Sequence, residues 1–101
     1  MPINVTWDND DHKIVRHVYP QQWDLNDFHR AIEDNASLIE SVTHRVDVIA
    51  DLTQSKNIPP RMLSTIGHLS RRTPDNQGVT VIVGANYFVQ LLLRAALTVV
   101  P

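Results

Sequence analysis

Polar residues and a glycine follow two apolar runs of this chain, and their types suit the binding of a small ligand or a protein partner. The residues are Asp51, Thr53 and Ser55 after the first run, and Gly84, Asn86 and Tyr87 after the second. Carboxylate, hydroxyl and amide groups at one place form a small polar pocket, and the N–H groups of a helix that begins after Asn86 would attract an anion. The simpler interpretation is that Asp51 and Asn86 only cap backbone groups where strands and helices end.

Two parallel strands would bring these residues together. The runs Val46–Ala50 and Val79–Val83 are apolar on both faces apart from Asp47, which is typical of strands buried in a parallel sheet. The carboxyl ends of neighbouring parallel strands lie at one edge of the sheet, and ligands of open α/β sheets bind at such edges. We therefore expect the residues that follow both runs to converge there.

The first half of the chain carries clear signals for a hairpin and a helix. Polar and apolar residues alternate over 3–7 and again over 14–19, and the turn-forming residues 8–12 separate them. Asp24 stands at an N-cap position, with an acidic residue three positions on, and apolar residues then recur at helical spacing. The sequence therefore predicts a β-hairpin followed by a helix from about Leu25 to Ser41.

The second half predicts two further helices. Pro59 and Pro60 suit the first turn of a helix whose apolar face carries Leu63, Ile66 and Leu69. A third helix should begin after its N-cap residue Asn86 and carry Phe88, Leu91, Leu92 and Ala95. The expected fold is an α/β domain with the order ββαβαβα and helices packed on a mixed sheet.

Length and composition favour one soluble domain that spans residues 1–101. The chain is 43% hydrophobic and 20% charged, with a formal charge of −2 that argues against nucleic-acid binding. It contains no cysteine, which excludes thiolate sites and is typical of a cytoplasmic protein. The apolar segment Leu91–Val100 is shorter than the roughly 20 residues that cross a bilayer, so no membrane span is expected.

The sequence predicts no metal, cofactor or catalytic site. The five histidines fall in unrelated predicted elements, without the spacing of a zinc site, at His12, His17, His29, His44 and His68. A glycine-rich phosphate loop, a nucleophile elbow and a positioned Ser-His-Asp set are likewise missing from the sequence. We therefore expect a non-catalytic protein.

The order of elements, the segment Val48–Thr53 and the segment Val81–Val89 together resemble the STAS superfamily, and within it the SpoIIAA-like proteins of bacteria. The resemblance covers most of the chain and implies a mixed sheet with helices against it. Better-known relatives are anti-sigma factor antagonists, which bind a partner kinase and are switched by phosphorylation of a serine after the third strand. The resemblance therefore implies a regulatory module.

The chain departs from that family at two places. Relatives carry Asp-Ser-x-Gly before the helix, whereas this chain has Gln54-Ser55-Lys56-Asn57 followed by two prolines, so Ser55 and Thr53 are the only hydroxyl groups nearby that could accept a phosphate. Relatives also continue into another strand and helix beyond the position of Pro101. Either the last apolar segment docks on the domain or the chain is truncated there, and an uncovered segment would favour a homodimer.

We predict that the domain acts through contact with a protein partner, on a surface formed by Asp51–Pro60 and Gly84–Tyr87. The alternative is a pocket between helices and sheet that takes a small apolar or anionic ligand. Aromatic residues bear on this choice, because Tyr19, Trp23 and Phe28 surround the start of the first predicted helix. They either line such a pocket or only pack in the core.

Overall fold

In a computed structural model, the chain forms a four-stranded mixed β-sheet with a helix against one face. The structure describes residues 1–56, 58–59, 61–62 and 72–84. Its elements are β1 (Asn4–Trp7), β2 (Ile14–Val18), α1 (Leu25–Glu40), β3 (Val46–Asp51) and β4 (Gln77–Val83). Strands lie in the order β1-β2-β3-β4, with β1 antiparallel to β2, and with β2, β3 and β4 parallel.

The predicted hairpin joins β1 and β2, and side-chain contacts fix its turn. Trp7 pairs with Val15 at the turn end of the hairpin. The Asn9 side chain accepts a hydrogen bond from the Lys13 N–H at 3.1 Å. His12 has a φ of 55°, a left-handed conformation that is uncommon outside glycine. Its ring stacks on Trp7 with 4.4 Å between centroids, a contact that supports this backbone.

Helix α1 begins where the acidic pair predicts. The Asp24 carboxylate accepts a hydrogen bond from the Asp27 N–H at 2.8 Å, and the Asp27 carboxylate accepts one from the Asp24 N–H at 3.1 Å. This reciprocal capping box satisfies two N–H groups that the helix itself leaves unpaired. The apolar stripe then turns toward the sheet, and its buried residues are Phe28, Ala31, Asn35, Ala36 and Ile39.

A side chain from the loop before β4 holds the other end of α1. The Asn76 amide donates to the carbonyl groups of Ile39 at 2.9 Å, Val42 at 3.2 Å and His44 at 3.0 Å. The last carbonyl groups of a helix have no partner within the helix. Asn76 therefore adds a donor to the last turn of α1 and to the loop that follows it, and ties both to the start of β4.

β3 is one of the two inner strands of the sheet, and a bulge marks its start. Val46 and Val48 are almost fully buried, whereas Asp47 between them faces the opposite side of the sheet. The register with β4 shifts between these two valines. There the Asp47 carboxylate accepts hydrogen bonds from the Val79 N–H at 2.9 Å and from the Arg45 Nε at 3.0 Å. A side chain thus takes the place of a ladder bond at the bulge.

Buried apolar residues form two clusters on the α1 side of the sheet. The larger contains Ile3, Tyr19, Trp23, Phe28, Ala31, Ala50, Leu52 and Met62. The smaller contains Val15, Ile39, Val46 and Val48. Helix α1 contributes to both clusters, so it lies along the sheet and covers one face of it.

β4 was predicted to be buried on both faces, but one of its faces is exposed. Val79, Val81 and Val83 are 55%, 49% and 38% exposed. We call these three residues the valine stripe. They alternate with Thr80 and Ile82, which line the α1 side, so the stripe lies on the other face of the sheet. The reason is that α1 packs only on the opposite face, and β4 ends the strand order within the described part of the chain.

The predicted α/β class, mixed sheet and parallel β3–β4 pair are confirmed. The helix predicted over Leu63–Leu69 and the helix predicted after Asn86 lie outside the described residues. No helix within 1–56, 58–59, 61–62 or 72–84 has the length and apolar character required to span a membrane.

Candidate functional site

The carboxyl edge of β3 is built around Asp51. One carboxylate oxygen, Oδ1, accepts hydrogen bonds from the Thr53 N–H at 3.0 Å and the Thr53 hydroxyl at 2.6 Å. The other, Oδ2, accepts one from the Arg16 guanidinium at 3.2 Å. The two Thr53 bonds and then the Arg16 charge lower the pKa of Asp51. Asp51 therefore has protein partners at both oxygens, as the capping interpretation requires.

Gly84 packs closely against Thr53 at the same edge. Its φ is 78°, in the left-handed region that favours glycine. A β-carbon at residue 84 would lie 2.6 Å from the Thr53 Cα, so only glycine fits there without a shift of the backbone. The structure thus brings Asp51, Thr53 and Gly84 together as expected, but in direct contact. This contact leaves little room for a ligand between Thr53 and Gly84.

Ser55 points away from that edge. Its hydroxyl accepts a hydrogen bond from the Trp23 indole N–H at 2.9 Å, and its N–H donates to the Leu52 carbonyl at 3.1 Å. Phosphorylation of Ser55 or Thr53 stays a prediction, and at Ser55 it would disturb the contact with Trp23. The two other predicted site residues, Asn86 and Tyr87, lie outside the described residues.

A cavity of about 160 Å³ lies between α1 and the sheet, next to the predicted edge. The sheet provides its floor, and α1 with the side chains of Ile58 and Met62 forms its walls. Its lining is mainly apolar and consists of His17, Tyr19, Trp23, Phe28, Ile32, Asn35, Val48, Ala50, Leu52, Ile58, Met62, Arg72, Thr73, Gln77, Thr80 and Ile82. An apolar concave space with a few polar groups is the usual form of a small-molecule site.

The aromatic residues around the start of α1 belong both to the core and to this cavity. The Tyr19 and Trp23 rings meet edge to face with 4.8 Å between centroids, and Trp23 and Phe28 are 6.2 Å apart. All three are buried members of the larger cluster and also line the cavity. The two interpretations of these residues are therefore compatible.

A row of hydrogen bonds crosses the polar end of the cavity. The His17 Nε2 lies 2.9 Å from the Asn35 Oδ1, and the Asn35 amide donates to the Gln77 side-chain oxygen at 3.0 Å. His17 and Asn35 are each only 4% exposed. Burial lowers the pKa of His17, and the hydrogen bond to Asn35 opposes this only in part. Burial also raises the pKa of the Tyr19 hydroxyl.

The sequence did not predict this row of hydrogen bonds, although one signal for it exists. His17 lies between Val15 and Tyr19 at the two-residue period of a strand, so it must share their buried face. Asn35 likewise lies on the apolar side of α1, four residues before Ile39. A polar residue within an apolar stripe indicates a buried hydrogen-bond partner, but the pairing of β2, α1 and β4 in space has no local signal.

The histidines show no metal site within the described part of the chain, where no three histidine or acidic side chains form a group able to hold a metal ion. His44 lies close to His12, but its Nε2 contacts the His12 carbonyl oxygen at 2.7 Å. This contact joins the hairpin turn to the loop before β3 and needs no metal.

Comparisons of the chain with protein-family models, curated proteins and solved structures give no match. The cavity and the strand edge are therefore the observations on which a function rests.

Proposed function

We propose that the domain is a binding module that takes a small, mainly apolar ligand in the cavity between α1 and the sheet. The observation that carries this proposal is the cavity itself, because a filled core would leave no such space. The sequence favoured contact with a protein partner, whereas the cavity favours the binding of a small ligand.

The size of the cavity limits the ligand. An engineered apolar cavity of about 150 Å³ stays dry and binds benzene. The cavity here, at about 160 Å³, suits one ring or a short branched chain. Ala50, Val48 and Ile82 provide the apolar floor, and each Å² of apolar ligand surface removed from water contributes about 25 cal/mol.

The hydrogen bonds already formed at the strand edge also favour an apolar ligand in the cavity. Asp51 and Thr53 bond each other, Gly84 abuts Thr53, and Ser55 bonds Trp23. A polar ligand at this edge would have to displace these contacts. An apolar molecule in the cavity displaces none of them.

The test is a titration with benzene followed by ¹H–¹⁵N NMR. We expect saturable shifts centred on residues around Ala50 and Phe28. Ala50→Leu places a larger side chain in the cavity and should abolish these shifts, while the protein stays folded because the added carbons occupy empty space.

Val81→Leu is the matched control, because it enlarges an apolar side chain on the opposite face of the sheet. This variant should bind benzene like the wild type. Equal binding of benzene by wild type and Ala50→Leu, or no binding by any of the three proteins, would rule out the cavity as a ligand site.

Protein contact is the second candidate, and the valine stripe favours it. A row of exposed apolar side chains on a sheet is typical of a surface that binds another protein.

We also propose that the domain is a cytoplasmic STAS-type module, in which protein contact is the known role of relatives. The order β1, β2, α1, β3 with β4 parallel to β3 supports this assignment, and Asp51–Pro60 with Gly84–Tyr87 would then form the neighbouring surface.

A further inference from the structure

The hydrogen-bond row at the polar end of the cavity has a direction. The Asn35 Nδ2 donates to Gln77, so the Asn35 Oδ1 is the atom that faces His17. An amide oxygen only accepts hydrogen bonds, and therefore the His17 Nε2 carries the proton and donates it. A neutral imidazole has one N–H, so the His17 Nδ1 is left with a lone pair.

Two polar atoms near this row have no partner. Among the described residues, no hydrogen bond reaches the His17 Nδ1 or the Tyr19 hydroxyl. Every fully inaccessible polar side-chain atom in that part of the chain does have a partner. These two atoms must therefore reach open space. His17 and Tyr19 are only 4% and 5% exposed, and the space that both of them line is the cavity.

The two rings are neighbours on the cavity wall. His17 and Tyr19 lie two positions apart in sequence on the same face, at and just after the end of β2, and their ring centroids are 6.5 Å apart. The cavity thus offers a hydrogen-bond acceptor, the imidazole nitrogen, beside a donor, the phenol O–H. A ligand group that both donates and accepts would satisfy both.

We propose that the cavity selects a small apolar molecule that carries one hydroxyl group, a phenol or a compact alcohol. The hydroxyl hydrogen is donated to the His17 Nδ1, and the hydroxyl oxygen accepts the Tyr19 O–H. This inference rests on the proposed ligand-binding function and adds the chemical class of the ligand.

Other polar groups fit this site less well. A carboxylate has no hydrogen to donate and would face the lone pair of His17, and a ketone or an ether likewise lacks a donor. An ammonium group would lose its hydration in a mainly apolar space, where none of the described lining residues is a carboxylate. A hydroxyl group both donates and accepts a hydrogen bond, so it can serve both atoms at once.

The experiment measures the binding of toluene, phenol and anisole by NMR titration. Toluene and phenol have equal numbers of non-hydrogen atoms, and anisole places a methyl group on the oxygen. We expect phenol to bind roughly 30-fold more tightly than toluene, which forms neither hydrogen bond, and roughly fivefold more tightly than anisole, whose oxygen still accepts from Tyr19.

Tyr19→Phe removes only the hydroxyl donor and keeps the ring, so the fold should be retained. In this variant we expect the preference for phenol over toluene to fall about fivefold. A preference unchanged by Tyr19→Phe would overturn the inference.

The remaining outcomes separate the two proposals. Toluene or anisole binding as tightly as phenol would overturn selection for a hydroxyl group and leave the apolar cavity as a ligand site. No binding of any of the three compounds would overturn both.

Discussion

The buried imidazole of His17 belongs to a hydrogen-bond row whose other members, Asn35 and Gln77, are neutral amides. The Asn35 Oδ1 accepts a hydrogen bond from its Nε2–H, and the rest of the row is an amide–amide contact with Gln77. Among the residues that the structure describes, no carboxylate forms a hydrogen bond with this ring, and burial lowers the pKa of His17. In contrast, Asp51 is an ionised group with charged and polar donors around it. The molecule thus keeps His17 neutral and Asp51 charged.

The lowered pKa of His17 predicts how stability depends on pH. The unfolded chain binds a proton at His17 near the ordinary pKa of 6.5, whereas the folded protein binds it only at lower pH. Below pH 6.5 the unfolded state therefore holds more protons, and stability falls as pH decreases. We expect the free energy of unfolding, measured with urea, to fall by at most about 1.4 kcal/mol per pH unit from this group.

His17→Gln tests the assignment, because glutamine keeps an N–H donor and does not titrate. Its loss of stability between pH 7 and pH 5 should be smaller than that of the wild type. His29→Gln changes an exposed histidine and should follow the wild type. Parallel curves for all three proteins would show that His17 does not control this dependence.

At the scale of elements, local signals predicted much of the fold. The helix N-terminus at Asp24 and the hairpin around residues 8–12 depend on hydrogen bonds between near neighbours, so the sequence alone reveals them. The position of β3 followed from its apolar pattern, which Asp47 alone interrupts over Val46–Ala50. These features need no knowledge of the rest of the molecule.

Other features depend on contacts between distant residues and could not be predicted in this way. β4 begins at Gln77, earlier than expected, in a segment where Asn76 holds α1 and Asp47 bonds the Val79 N–H. The exposure of the valine stripe depends on which face α1 covers, and valine itself favours strands on either face. The cavity arises where side chains of several elements fail to fill the space between them. The sequence predicted the candidate edge and, as an alternative, a pocket between helices and sheet, but it did not predict the close contacts at the edge.

Asn76 provides a prediction about the junction of α1 and β4. Asn76→Ala removes the donor that three carbonyl groups share and should lower the free energy of unfolding by about 1–2 kcal/mol. Asn76→Asp should cost more, because a carboxylate would then face those carbonyl groups at the negative end of the helix. Urea denaturation measures both changes.

The exposed neighbour Asp75 supplies the control for this experiment. Asp75→Ala should change stability by less than about 0.5 kcal/mol, as is usual at the surface. If Asn76→Ala unfolds at the same urea concentration as Asp75→Ala, the three hydrogen bonds contribute nothing to stability.

At the scale of the whole molecule, the sheet has two unlike faces. One carries α1, both apolar clusters and the cavity. The other carries the valine stripe together with the ion pairs of Arg16 with Asp8 and Asp51. A net charge of only −2 gives weak repulsion between copies, so charge does little to oppose association through the exposed apolar row.

The valine stripe bears on the predicted homodimer. If copies associate through it, Val81→Lys should shift the protein toward monomer in analytical ultracentrifugation, with stability nearly unchanged because Val81 is 49% exposed. Thr6→Lys places the same charge on β1, at the other end of the sheet, and should leave association unchanged. Wild type that sediments as a monomer at high concentration, or equal effects of both substitutions, would exclude this interface.

The strand order also has a kinetic consequence. In the sheet, β1, β2, β3 and β4 are neighbours in the order in which they occur along the chain. A nascent chain that leaves the ribosome from its amino terminus can therefore add each new strand to an edge that already exists. None of these four strands has to insert between two others that have already paired. Growth of the sheet from β1 toward β4 during translation is thus compatible with the topology, and the last strand added is the one that bears the valine stripe.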